Sequence, residues 1–275
     1  MAQQGLLVLG AETTALPGKQ EIGRSFSCAA PRYDSVATLQ REVGDTLLDS
    51  ICFDGDLPRR VLDLGCGTGH FYSRLVQLAP DIEYLGLDLA DGMVEFARHR
   101  FPGAGQWLVG DAEQLPLEAN SIDLVFSSLA IQWCSSPQRV FAELGRILRP
   151  GGQCVFTSLG PATLRELRQS WASVDDYQHV NTFVDAAVLK EAAAQVPGIV
   201  MTLREKEFSL QYNRVGELLR ELKILGAHNM NSGRARGLTT KAALQRLYAA
   251  YEPWRSQGKL PATYDVQFGV LEKQG

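Results

Sequence analysis

The sequence has no apolar run approaching the roughly 18 to 20 residues of a membrane-spanning helix, and no internal repeat or low-complexity tract. Disorder, collagen and mini-protein classes are excluded by composition. Cysteine is sparse and odd in number: Cys28, Cys52, Cys66, Cys134 and Cys154 stand far apart, with no CxxC pair and no histidine at metal-ligand spacing. No metal is expected, and a cytoplasmic location is. Net charge is only -4, so neither nucleic acid nor a membrane is an expected partner. No basic residue precedes the short apolar stretch from Gly5 to Ala11, as a secretory signal would require. Residues 1–18 read as a loose tail.

What is present is globular: 275 residues, 45% hydrophobic and 21% charged, enough for one large domain or two small ones and a full core. Charge is unevenly placed. Between Arg214 and Arg246 seven cations (Arg214, Arg220, Lys223, Arg234, Arg236, Lys241, Arg246) face two acids (Glu217, Glu221), a local balance of +5. Such a stretch suits an anionic substrate or partner, or it is a solvated helix face.

From Arg59 to Leu159, short Val/Ile/Leu-rich runs alternate with amphipathic stretches. Strands are predicted at Arg60–Leu64, Glu83–Leu89, Gln106–Gly110, Ile122–Ser127 and Gln153–Leu159. A helix is predicted over His70–Ala79, with Phe71, Leu75 and Leu78 on one face. Another runs from Ser136 to Arg149, with Ser136 as N-cap, Pro137 in the first turn and Pro150-Gly151-Gly152 as its stop. Repeated units of this kind give a doubly wound, Rossmann-like α/β sheet that binds ligands at the carboxyl ends of its strands. Residues 20–50 read as helices with Tyr33-Asp34 between them, near a proline that breaks the pattern. After Leu159 come helices at Thr163–Ser173 and Ala186–Ala194, a strand at Ile199–Tyr212, helices at Val215–Leu225 and Lys241–Tyr251, and a strand at Tyr264–Leu271.

Leu62-Asp63-Leu64-Gly65-Cys66-Gly67-Thr68-Gly69 follows a strand and opens a helix, so backbone N–H groups there can face a negative group. The spacing is GxGxG, and Asp63 lies inside the strand. A carboxylate there opposes a pyrophosphate but suits an ammonium beside a carboxylate. Asp88 ends the second strand, 19 residues after Gly69, where it can accept both hydroxyls of a ribose. Asp111, in Gly110-Asp111-Ala112, ends the third and can accept from an adenine amino group. An amino acid, a ribose and an adenine make S-adenosylmethionine. Each acid alone is equally a turn or helix-cap aspartate.

With Leu87-Asp88, Gly110-Asp111-Ala112 and Leu148-Arg149-Pro150-Gly151-Gly152, residues 59–159 resemble the class I S-adenosylmethionine-dependent methyltransferases. The flanks are similar to one subfamily, the malonyl-[acyl-carrier protein] O-methyltransferases of biotin synthesis. Ser25-Phe26-Ser27-Cys28-Ala29-Ala30, Tyr33-Asp34 and Leu39-Gln40-Arg41 resemble its N-terminal lid. Glu166-Leu167, Trp171, Val174-Asp175, His179, Asn181 and Phe183 resemble its insertion after the fifth strand. Leu222-Lys223, Leu225-Gly226-Ala227-His228, Gly233-Arg234, Leu238-Thr239 and Thr263-Tyr264 resemble its C-terminal part. The match runs from about residue 19 to 271. It implies a methyltransferase domain over 19–275, with a helical lid (19–58), a cofactor-binding core (59–160) and helical insertions (161–198 and 213–262).

The cofactor site expected from residues and resemblance together is Asp63, Gly65, Gly67, Gly69, Asp88, Met93, Asp111, Ala112 and Ser127. The substrate site is expected from Tyr33, Gln132, Trp133, Arg168 and Lys223. Tyr33 either closes over the sulfonium through its ring face or pins the N-terminal helix. Trp133 is a substrate wall or core packing, Met93 touches adenine or is core, and His70 is read as solvated or cap-adjacent. Arg165 and Arg168 share a helix face and either grip the substrate's second oxygen or face solvent. Lys223 with His228, and Arg234 with Arg236, are further cations. The leading expectation is methyl transfer from S-adenosylmethionine to the free carboxylate of a malonyl thioester on acyl carrier protein, by a monomer. Two alternatives remain: methylation of a small free acid or quinol, and a regulatory module that only binds S-adenosylmethionine.

Overall fold

The computed structural model describes residues 18–53, 57–79, 81–227 and 239–275. Two helices, α1 (Lys19–Tyr33) and α2 (Thr38–Leu48), precede the sheet. The first half then runs β1 (Arg60–Leu64), α3 (Tyr72–Leu75), β2 (Glu83–Asp88), α4 (Asp91–Arg100), β3 (Gln106–Val109) and β4 (Ile122–Ser127). The second runs α5 (Pro137–Ile147), β5 (Leu148–Leu159), α6 (Arg165–Ala172), α7 (Ala186–Ala194), β6 (Ile199–Tyr212), α8 (Val215–Ile224), α9 (Lys241–Tyr251) and β7 (Leu260–Lys273). One seven-stranded sheet has the order β3-β2-β1-β4-β5-β7-β6. Strands β1 to β5 are parallel, and β7 enters antiparallel against β5 with β6 on its outer side. The order reverses between β1 and β4, which opens a crevice at their carboxyl ends. The sheet is buried because both faces are apolar: Leu62, Leu64, Val125 and Cys154 face one layer, Val61, Leu124, Phe126 and Val155 the other.

The expected doubly wound sheet is observed, with differences in detail. The segment predicted as a helix over His70–Ala79 is helical only at Tyr72–Leu75. Bonds from Tyr72, Arg74, Gln77 and Leu78 N–H groups to carbonyls three residues back wind it more tightly, which still puts Leu75 in the core. Helix α5 is capped as expected, the Ser136 hydroxyl accepting from Arg139 N–H. It stops at Ile147 rather than at Pro150-Gly151-Gly152. Leu148 is already extended, and the Pro-Gly-Gly residues form an irregularity inside β5, where Gly151 has φ +79°. Pro31 does not break α1: the helix passes through it to Tyr33, which is its last residue. Proline lacks the N–H owed to the Ser27 carbonyl, and α4 approaches at that level, where a Cβ on Gly92 would meet the Ser27 carbonyl oxygen at 2.9 Å. No helix joins β3 to β4 among the described residues. The end strand extends well beyond the expected Tyr264–Leu271, because pairing with all of β6 satisfies its backbone along Leu260–Lys273.

Candidate active site

Three strand ends meet at the crevice. After β1 the chain turns at Gly65, whose N–H donates to the Leu87 carbonyl at 2.7 Å, so the glycine loop is bonded to β2. Gly67 has φ +52°, and a Cβ there would meet nothing within 4 Å, because it would project into empty space. Gly67 borders the main compartment, a cavity of about 110 Å³. Its walls are Gly65 and Gly67, Leu87 to Ala90, Met93, Gly110 to Ala112, Ser127 to Ile131, Trp133 and Cys134, with α1 supplying Lys19, Ile22, Gly23, Phe26 and Tyr33.

A smaller second compartment shares Tyr33, Gly65, Gly67 and Ser128 with the first. It adds Asp63, Asp34, Gln40, Arg41, Thr68 and His70. Tyr33 therefore stands at the junction. Burial, with Asp88 and Asp34 nearby, pushes its hydroxyl above the ordinary phenol range, so it stays protonated. The helix end carrying it is tied down by Asp34, which accepts from the Thr68 hydroxyl and from Arg100, both at 2.8 Å.

The three acids have distinct surroundings. Asp63 is buried at the bottom of the second compartment, and its carboxylate accepts from the Tyr84 hydroxyl at 2.8 Å. Burial pushes its pKa up to about 7, the Tyr84 hydrogen bond opposing and the Asp88 charge assisting. Asp88 accepts from Gly67 N–H at 2.9 Å and Ala90 N–H at 2.8 Å. Burial raises it, and those backbone donors hold it back. Asp111 accepts from Lys19 at 2.5 Å and from Glu113 N–H at 2.9 Å. Ser127 lies at the end of β4, its hydroxyl donating to the Leu64 carbonyl at 2.9 Å.

Of the residues expected from sequence, Gly65, Gly67, Asp88, Met93, Asp111, Ala112, Ser127, Tyr33 and Trp133 come together around the main compartment. Asp63 joins from the second. Gly69 does not reach either. Its φ of +75° and its closeness to Trp107, 2.8 Å from where a Cβ would stand, give it a role in loop packing. Gln132 sits behind the wall, nine-tenths buried, with Nε2 donating to the Leu129 carbonyl and Oε1 unpartnered. The turn it stabilises places Leu129 at φ +50°, a conformation that side chains other than glycine's adopt at a cost. Trp133 lies edge-on to Phe26 at 5.2 Å, joining that turn to α1.

The expected cations disperse. Arg168 lines a separate cavity with Trp171 and His179, held by the Pro161 and Thr163 carbonyls. Arg165 is ion-paired to Glu207. Lys223 is exposed on α8 and lines neither compartment. His228, Arg234 and Arg236 lie outside the described residues. His70 borders the second compartment, where burial lowers its pKa below the ordinary imidazole value. Sequence reasoning did not single out Lys19 or Glu113, on or under the first compartment, and placed Phe26, Gln40 and Arg41 in the lid-like segments without assigning them to the site. No local pattern marks Lys19 and Glu113, whose ion pair forms only when α1 folds back over the strand ends. Among the described residues no cluster could hold a metal ion, and no helix is long and apolar enough to cross a membrane.

A methyltransferase-domain family profile matches residues 62–156. The chain is 43% identical over 266 residues to the malonyl-[acyl-carrier protein] O-methyltransferase of Methylococcus capsulatus, covering 94% of each. It is 45% identical over 255 residues to the biotin biosynthesis bifunctional protein BioHC of Cellvibrio japonicus, covering 93% of this chain and only 50% of that relative. Among solved structures, the YcgJ protein from Bacillus subtilis superposes with a TM-score of 0.59 at 16% identity, over 86% of this chain and 99% of that one. The [4+2]-cyclase SpnF superposes with a TM-score of 0.59 at 19% identity, over 94% and 98%. Sheet order, glycine loop and domain match define a class I methyltransferase with a Rossmann-like α/β fold. Within that class, the chain belongs to the malonyl-[acyl-carrier protein] O-methyltransferase family.

Proposed function

We propose that the protein transfers the methyl group of S-adenosylmethionine to the free carboxylate of a malonyl thioester on acyl carrier protein, the methyl ester then priming biotin synthesis. The observation that carries this within the family is the order of carboxylates along the joined compartments: Asp111 and Asp88 on the first, Asp63 in the second. Adenine, ribose and ammonium occur in that same order in the cofactor. Met93 and Ala112 suit the purine plane, Asp88 the ribose hydroxyls, and Asp63 the ammonium, with Arg41 available to the adjoining carboxylate. Gly65, Gly67 and Ser127 supply the floor.

The bound cofactor supplies an electrophilic methyl on a sulfonium. The chain's own work is to place an acceptor oxygen behind it and keep water away. A malonyl carboxyl ionises near pH 4, like an Asp or Glu side chain, so at neutral pH no proton remains for a base to remove. Tyr33, protonated and at the junction, offers its ring face to the sulfonium and closes the site with α1. Trp133 walls the acceptor side, and Gln132 holds its turn.

The lid (19–58) and the insertions (161–198, 213–262) are proposed as the parts that admit the carrier. Arg214, just before α8, Arg220 and Lys223 on α8, and Lys241 and Arg246 on α9 are exposed and are proposed as basic contacts for the carrier. Glu221, one of the two acids there, is turned inward onto the Tyr212 hydroxyl at 2.9 Å. Arg168 and Lys223, away from the compartments, fit contacts to the carrier or its linker better than contact with the reacting carboxylate. Five free cysteines among the described residues fit a cytoplasmic enzyme. The test is incubation with S-adenosylmethionine and either malonyl- or acetyl-acyl carrier protein, read by mass. A gain of one methyl on the malonyl form alone is expected. Equal methylation of both, or cofactor binding with no S-adenosylhomocysteine released, overturns the assignment.

A further inference from the structure

The first turn of α1 carries a cation that the proposed chemistry does not use. Lys19 stands on the wall of the main compartment and reaches two carboxylates at once, with Nζ 2.5 Å from Asp111 Oδ2 and 3.0 Å from Glu113 Oε2. The Glu113 side chain is only 3% exposed. Its other oxygen accepts from Ser135 N–H at 2.5 Å and Ser136 N–H at 3.3 Å. One ammonium thus joins α1 to the turn after β3 and, through Glu113, to the segment that follows Trp133 and Cys134 on the compartment wall.

The consequence falls on Asp111. Glu113 N–H occupies its Oδ1 and Lys19 its Oδ2, so the carboxylate cannot rotate without breaking one of these bonds. Burial works against the Lys19 charge, but the two carboxylates outweigh it and hold the ammonium protonated. What Asp111 presents to a ligand is therefore an acceptor-only surface in a fixed orientation. A donor such as an exocyclic amine satisfies it, whereas a carbonyl oxygen in the same place leaves two acceptors facing one another.

We propose that Lys19 is the positioning residue for purine recognition: by clamping Asp111 and Glu113 it keeps Asp111 a fixed acceptor and makes the site select a 6-aminopurine over a 6-oxopurine. This role rests on S-adenosylmethionine occupying the compartment.

The test is calorimetric binding of S-adenosylhomocysteine and of its 6-oxo analogue, S-inosylhomocysteine, to the full chain and to Lys19→Met and Lys19→Arg. Methionine keeps an unbranched stem and removes only the charge. In Lys19→Met, affinity for S-adenosylhomocysteine is expected to fall about tenfold or more, and the 6-amino to 6-oxo preference by a similar factor. Lys19→Arg recovers most of both. In turnover, KM for S-adenosylmethionine rises while KM for the malonyl thioester stays unchanged. A folded Lys19→Met with the wild-type preference overturns the role even if both ligands bind more weakly, since general loosening of α1 affects them equally. Should that variant fail to fold, Glu113→Gln is expected to give a smaller drop in the same preference, and an unchanged preference there overturns the role too. Wild-type protein that binds neither ligand overturns the cofactor assignment itself.

Discussion

The backbone N–H of Gly67 donates to the Asp88 carboxylate at 2.9 Å, across the gap between the glycine loop and the end of β2. The acid expected to hold the ribose also fixes the loop that leaves room for the cofactor. Asp88→Ala is therefore expected to weaken S-adenosylmethionine binding by about 1.5 to 3 kcal/mol, or roughly ten- to a hundredfold. Calorimetry on the folded variant checks this, and an unchanged affinity removes Asp88 from the site.

With the proposed ammonium contact, Asp63 is expected to make cofactor binding depend on pH. In the empty protein it titrates at about 7, raised chiefly by burial, and an ammonium beside it favours the ionised form. S-adenosylmethionine affinity should rise from about pH 6 to pH 8 and then level. Stability of the empty protein should run the other way. A carboxyl whose pKa is raised on folding stabilises the fold fully below its unfolded value, 3.8, and that contribution disappears as pH rises through about 7. Melting temperatures with and without cofactor at both ends of this range provide the check. A pH-independent affinity that Asp63→Asn leaves unchanged would count against an ammonium at Asp63.

The chemical step should not share that dependence. With the acceptor already ionised and the Tyr33 hydroxyl held protonated, kcat at saturating cofactor is expected to be flat from about pH 6 to 8. A kcat that climbs through a histidine-like value would point to an acceptor with a proton to lose.

The proposed closure of α1 is expected to depend on Asp34 as much as on Tyr33. Tyr33→Phe keeps the ring and should retain kcat within about threefold, while Tyr33→Ala should lose tenfold or more. Asp34→Ala, which releases Thr68 and Arg100, should speed S-adenosylhomocysteine release in stopped flow. An unaltered release rate would show that these bonds do not hold the helix closed.

Carrier recognition through α8 and α9 should be electrostatic. Exposed charges are screened beyond about 10 Å at 0.1 M salt, so KM for malonyl-acyl carrier protein should rise with salt while that for S-adenosylmethionine moves little. Charge reversal at Arg220 and Arg246 should raise the same KM severalfold. Equal use of a short malonyl thioester without the protein would mark this face as ordinary solvated surface.

The strand ends were legible along the chain because a buried parallel strand is a short apolar run, which an acid interrupts at or near its carboxyl end. Asp63, Asp88 and Asp111 stand out for that reason, and so do the glycines between them. Gly69 reads in sequence as part of the same loop, yet its neighbour is Trp107, a contact made only when β3 lies beside β2. Arg168 shares a helix face with Arg165 as spacing requires, but where that face points depends on how α6 meets α9 and β7.

Local periodicity and turn chemistry thus determined the parallel core, the glycine loop and its three acids, since each follows from contacts within a few residues or from the need to bury an apolar run. The tertiary structure alone decided which side chains close the site. Lys19 meets Asp111 across 92 positions and Thr68 meets Asp34 across 34. An ion pair or hydrogen bond at such separation leaves no period in the sequence, because it forms only when the N-terminal helices have folded back over the carboxyl ends of the sheet.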